Sequence, residues 1–210
     1  MSEFISTQWL SNNLNNKNLV IFDCSWFLPS ENKNPQKEYE QKHIKGSHFF
    51  DINKISDPIN KSPHMIPDLK FFKNKMKYFN INKNSKIIVY GSMNIMGPSR
   101  VWWMFKYFGF NNIYVLNGGL SKWTKEKKSV TNQKSIKKIS TYNFTTNFSW
   151  LIKKNIIFQK LKDKKEIIID ARNKRRFNGE EKELRKGLRS GHIPYSKNLF
   201  WKDLTKNGEI

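Results

Sequence analysis

The 210-residue chain holds a single cysteine, Cys24, which follows the apolar run Leu19-Val20-Ile21-Phe22-Asp23. A cysteine thiolate is a nucleophile and a metal ligand, but apolar surroundings disfavour the charged form, so Cys24 reads as a buried, inert thiol. One cysteine also leaves no intramolecular disulfide framework and no cysteine-based zinc site. His43 and His192 each precede an isoleucine and a turn. Imidazoles move protons near neutral pH, yet this repeated placement marks both as turn-anchoring hydrogen-bonding groups. Asp23 and Asp170 end apolar runs at matching positions and are expected to hold nearby backbone N–H groups. His48 and His64 have no ligand spacing with one another or with Cys24, so no metal and no cofactor is expected. The cation cluster Arg172, Lys174, Arg175 and Arg176 has the character of an anion or phosphate site. Trp102, Trp103 and Phe105 recur at helical spacing among apolar neighbours, which favours core packing over a base-stacking platform.

These side chains need elements to position them. Ser6 or Thr7 caps a helix with Trp9, Leu10 and Leu14 on its apolar face, and Leu19–Asp23 is a buried strand. Pro35 to His43 is a short helix, and His48 to Asp51 a short strand. Asp68 caps a helix over Leu69 to Phe79. Ile87–Tyr90 is a strand, Gly91 to Gly97 a loop, and Pro98 opens a helix that Gly109 stops. Ile113–Leu116 is a further strand, and Asn117-Gly118-Gly119 turns into a helix carrying Leu120 and Trp123. Strands alternating with helices predict an α/β unit with a largely parallel sheet.

Charge and composition bound the remaining classes. Lys and Arg number 39 against 17 Asp and Glu, a formal net charge of +22. Such an excess is the footprint of a nucleic-acid or anionic-surface binder. Here Lys, Asn and Ile rise together and the lysines are scattered along the chain, which reads as compositional drift, so nucleic acid is not expected as a partner. A mean hydropathy of −0.73 without a long uncharged apolar run excludes a membrane span. No basic and apolar leader opens the sequence, and a cytoplasmic location is expected.

Residues 129–144 are rich in Lys, Ser, Thr and Asn without periodicity and read as a linker between a domain at 1–128 and a second at 145–210. Across it the pattern starts again. Phe148 to Leu161 is helical in pattern and Glu166 to Asp170 a strand. The first half has a strand ending in Asp23, then His43-Ile44-Lys45-Gly46-Ser47. The second has a strand ending in Asp170, then His192-Ile193-Pro194-Tyr195-Ser196. This is a long-period internal repeat.

Ser6-Thr-Gln-Trp-Leu10, Asp23-Cys-Ser-Trp-Phe-Leu-Pro29, Pro63-His-Met-Ile-Pro67, Arg100-Val-Trp-Trp-Met104, Gly118-Gly-Leu120, Asp170-Ala-Arg172 and Gly187-Leu-Arg-Ser-Gly-His-Ile-Pro194 follow in order. On these segments the chain resembles the two-domain rhodanese family, the thiosulfate and 3-mercaptopyruvate sulfurtransferases. The resemblance implies tandem rhodanese-like α/β domains, the first non-catalytic. A cysteine thiolate in the second takes sulfane sulfur as a persulfide and passes it to a thiophilic acceptor. It implies that Arg176 and Arg185 bind the small anionic sulfur donor, because a guanidinium fork pairs with carboxylate or sulfonate.

The sequence departs from the family where chemistry matters most. The family's cysteine loop would follow Ile210, and the matching loop of the first half, Gly91 to Gly97, holds no cysteine. The expectation is a second domain truncated before the cysteine loop, no catalytic residue among these 210, and no sulfur transfer by them alone. A separately encoded C-terminal piece as partner, or a non-catalytic module that binds anions or a protein, are the alternatives. Tyr195 stands where the family has glycine, and Lys182 and Leu184 where prolines stiffen the approach to Arg185.

Overall fold

The structure, a computed structural model, describes residues 2–163, 166–183, 187–206 and 209–210. Met1–Trp150 form one compact unit and Leu151–Gly208 a second.

In the first unit, β1 (Phe4–Ile5) leads to α1 (Thr7–Asn13), which starts where the Ser6 hydroxyl accepts the Trp9 N–H at 3.0 Å. Then come β2 (Leu19–Asp23), α2 (Pro35–Gln41), β3 (His43–Ile44) and β4 (Ser47–Phe49). The Asp68 carboxylate accepts from Phe71 N at 2.7 Å and opens α3 (Leu69–Met76). β5 (Lys86–Tyr90), α4 (Met96–Tyr107), β6 (Ile113–Leu116) and α5 (Gly119–Lys125) complete the alternation. α4 begins two residues before Pro98, which costs nothing because first-turn N–H groups have no intrahelical partner. Gly109 beyond the helix lies at φ +76°.

The main sheet has the order β1-β6-β5-β2-β4 and every pairing in it is parallel. Alternation along the strands builds two cores. Ile21, Ile88, Tyr90 and Leu116 pack with Leu10 of α1 and with Leu120 and Trp123 of α5. On the other face Phe22 meets Phe50 at 5.5 Å and Phe105 at 5.8 Å, and Phe72 stacks on Phe108 at 4.0 Å.

The unit does not stop where the composition changes. β7 (Val130–Thr131) pairs antiparallel with β3, and Asn80 N–H bonds Lys138 O at 2.9 Å while Ser140 N–H bonds Lys77 O at 2.8 Å. Phe144 is fully buried among Phe72, Phe105 and Phe110. Residues 129–144, polar enough to read as a linker, therefore form a strap on the first unit, and its boundary falls after Trp150.

The second unit contains α6 (Lys154–Asp163), β8 (Ile169–Asp170), α7 (Lys174–Asn178) and β9 (Lys197–Asn198). β8 and β9 pair in parallel, Ile169 with Lys197 and Asp170 with Asn198, as β2 and β4 do in the first unit. The helix is shorter than its periodicity suggests and starts after a 3₁₀ turn at Phe148–Trp150. The strand is shorter too. Ile167 and Ile169 are 71% and 57% exposed, and among the described residues β8 pairs only with β9.

Two local geometries occur in both units. Tyr39 stacks on His43 at 4.0 Å and Phe177 on His192 at 3.8 Å. Gly46 and Tyr195, three residues after the two histidines, both take positive φ, +82° and +65°. The turn needs a left-handed residue, so a tyrosine in the family's glycine position is a strained choice.

Candidate anion site and the loop that corresponds to it

α7 starts where Asn173 Oδ1 accepts the Arg176 N–H at 2.8 Å, and Gly179 at φ +80° ends it. This short turn, set after Asp170 at the end of β8, brings four charges into a chain. Arg172 Nε and Nη2 grip Asp170 Oδ1 and Oδ2 at 3.0 and 2.6 Å, and Nη2 also donates to Gly191 O at 2.7 Å. Arg172 Nη1 meets Glu183 Oε1 at 2.5 Å, and the other Glu183 oxygen takes Arg176 Nη2 at 2.5 Å. The Arg176 guanidinium holds the Glu183 carboxyl below the usual range, as that of Arg172 does for Asp170.

These contacts sort the cation cluster. Arg172 is committed to Asp170, Glu183 and Gly191, a structural role. Arg175 is exposed and pairs with Glu181 at 3.3 Å, and Lys174 faces solvent. Arg176 differs: its Nε is buried and has no hydrogen-bond partner among the described residues. An arginine with donor capacity left unused in a half-buried setting is suited to a planar or tetrahedral anion. Arg185 lies outside the described residues. Glu183, which sets the orientation of both guanidinium groups, was not singled out from sequence; it stands at the end of the run Glu180-Glu181-Lys182-Glu183, where nothing marks which carboxylate turns inward.

In the first unit the strand-end aspartate does related work. Asp23 Oδ1 accepts from Ser25 N at 2.9 Å and Ser25 Oγ at 2.5 Å, and that hydroxyl accepts the Ser92 N–H at 2.8 Å. Asp23 thereby holds the Gly91 to Gly97 loop, and burial raises its pKa. His43 Nδ1 lies 2.6 Å from Tyr39 O and Nε2 3.1 Å from Gln133 O, the anchoring role its position implies. His192 Nδ1 sits 2.7 Å from Phe177 O in the same manner. Beside the loop a cavity of about 180 Å³ is lined by Trp26, Ile52, His64, Met96, Gly97 and Arg100. Arg100 donates to His64 O, its Nε is buried without a hydrogen-bond partner among the described residues, and burial lowers its pKa to about 10. Its place in the segment Arg100-Val-Trp-Trp shows a helix position but not that the side chain turns back toward His64.

Cys24 is fully buried in the first unit, and burial together with the Asp23 charge pushes its pKa well above the ordinary thiol value. It is expected to resist a thiol-specific disulfide reagent in the native protein and to react fully once the chain is unfolded. Fast reaction before unfolding would mean the strand end opens.

Parallel strands whose C-terminal ends carry loop-holding aspartates define a protein of the α/β class. The family profile described as the rhodanese-like domain matches residues 6–126. The 3-mercaptopyruvate sulfurtransferase of Escherichia coli K12 is 32% identical over 208 residues, 99% of this chain and 74% of the relative. Thiosulfate/3-mercaptopyruvate sulfurtransferase 2 of Arabidopsis thaliana is 36% identical over 214 residues, 92% of this chain and 63% of that protein. A crystal structure of a 3-mercaptopyruvate sulfotransferase from Escherichia coli matches with a TM-score of 0.90 at 30% identity, covering 100% of this chain and 79% of that one. The chain belongs to the rhodanese family. It spans 63% and 56% of the length of the two Arabidopsis relatives. No helix among the described residues is long and apolar enough to cross a membrane.

Proposed function

We propose that the chain is the donor-binding part of a sulfurtransferase that takes a sulfur atom from 3-mercaptopyruvate, by breaking its C–S bond with pyruvate enolate as leaving group, or sulfane sulfur from thiosulfate. Its two units are tandem rhodanese-like domains, a reading supported by the paired strands, histidine stacks and left-handed turns described above. The observation that carries the proposal is Arg176, fixed by Glu183 yet left with an Nε that has no hydrogen-bond partner among the described residues. In the reaction a cysteine thiolate attacks the outer sulfur of thiosulfate, the donor S–S bond breaks, and sulfite leaves with the electron pair. The persulfide then gives its sulfur to a thiophilic acceptor. Cys24 is unsuited to that step, being buried and held protonated. The thiolate comes from outside these 210 residues, so alone they bind a donor and transfer no sulfur. The same burial favours the second reading, a non-catalytic rhodanese-like module that binds anions or a protein.

Calorimetric titration with thiosulfate at low ionic strength tests the site. Arg176→Ala is expected to weaken binding about tenfold or more, since a hydrogen bond to a charged group is worth roughly 1.5–3 kcal/mol, and Arg176→Lys to recover part of it. Equal affinity in the alanine variant would remove Arg176 from the donor site.

A further inference from the structure

The lysines are spread along the chain, but the acids are not. Residues 1–68 carry 7 Lys against 8 Asp and Glu, whereas residues 69–150 carry 15 Lys and Arg against one acid, Glu126. The two stretches of one folded unit thus differ as 7 − 8 = −1 and 15 − 1 = +14. Compositional drift raises lysine throughout; it does not empty one stretch of carboxylates and leave the other balanced.

The fold brings much of this charge to one place. α3 carries Lys70, Lys73 and Lys75, Lys77 follows at its C-cap, and the strap lays Lys137 and Lys138 beside this end through the Asn80–Lys138 and Ser140–Lys77 backbone bonds. All but Lys73 are exposed, and among the described residues no carboxylate pairs with any of the six. Set into the same strap are Ile136 and Ile139, 80% and 67% exposed.

We propose that this face of the first unit docks on an anionic lipid surface. Unpaired lysines meet the phosphate headgroups, and the two isoleucines enter the apolar boundary beneath them. A nucleic acid would take the lysines but offers no hydrocarbon for exposed isoleucines. The inference is independent of sulfur transfer and of Arg176.

Sedimentation of the full chain with vesicles tests it. Binding to mixed phosphatidylglycerol and phosphatidylcholine vesicles is expected at low ionic strength, with loss in high salt and none to phosphatidylcholine alone. Lys137→Glu with Lys138→Glu is expected to weaken binding about tenfold or more, as each cation near such a surface contributes roughly 1 kcal/mol. If that pair disturbs folding, Lys70→Glu on the neighbouring helix with Lys77→Glu at its C-cap replaces it. Ile136→Ser with Ile139→Ser leaves the charge intact and is expected to weaken vesicle binding about tenfold without altering binding to polyuridylate. No binding of the unaltered chain to anionic vesicles overturns the proposal. So does vesicle binding insensitive to the isoleucine pair, which would point to a phosphate polymer instead.

Discussion

Gly97→Ala is expected to lower the thermal midpoint of the first unit by roughly 10 °C, or to prevent its folding. A β-carbon at this position would overlap the carbonyl oxygen of Cys24 and stand 3.1 Å from its carbonyl carbon. The obstacle is the Cys24 backbone, so no side-chain rotation makes room. α4 would have to move off the end of β2, and the buried contacts of Val101 and Phe105 with the sheet would move with it. Overpacking and backbone displacement of this kind cost about 3 kcal/mol, and a domain of this size loses roughly 2–4 °C for each. The same displacement spreads the cavity beside Arg100 and exposes Cys24, so thiol reactivity should rise in step with the loss of stability. Ser99→Ala, on the exposed side of the same helix, is the control and should change little. A Gly97→Ala variant melting within about 2 °C of the unaltered protein would mean that α4 and Cys24 are less tightly apposed than described.

Much of the frame that makes Gly97 critical is legible in the chain. Leu19–Asp23, Ile87–Tyr90 and Ile113–Leu116 are mostly apolar runs bounded by polar or glycine punctuation, a pattern that buried parallel strands share. Ser6 and Asp68 show their helix starts through capping chemistry, a local effect. What fails is whatever depends on distant partners. The strap has only Tyr142 and Phe144 as anchors in a polar stretch, and its structure comes from pairing with β3 and with residues 77–81. Composition cannot display that pairing. The short strand β8 errs in the other direction: Ile167 has the residue type of a buried strand, but no neighbour among the described residues covers it. In the candidate site Arg176 was legible through the family's pattern, and the histidines and aspartates through the repeat. The hand of Glu183 on Arg176 was not, since a buried carboxylate and a solvated one look identical in an acidic run.

His48 gives the sharpest expected pH response. It lies on β4 with its ring 5.2 Å from Phe79 and 6.3 Å from Phe22, and it feels the charges of Lys137 and His43. Burial among these groups, before either charge, lowers its pKa from 6.5 to about 4. Between those values the unfolded chain binds a proton that the folded chain refuses. Stability is therefore complete above pH 6.5 and is lost as the pH falls toward 4, by about 2–3 kcal/mol after allowance for partial exposure. Asp23 acts with the opposite sign: its raised pKa makes ionisation costly, so its contribution is lost as the pH rises through the folded value. The lowered carboxyls of Asp170 and Glu183 begin to cost stability only as the pH falls below their ordinary range, beneath most of the histidine window. His48→Phe, which fills the aromatic setting without a titrating group, should flatten or reverse the slope between pH 6.5 and 4 in urea unfolding. Lys137→Ala should shift the histidine response upward in pH while leaving it present, because the lysine is a lesser cause than burial. An unchanged slope in His48→Phe would assign the acid response to other groups and leave the ring of His48 hydrated.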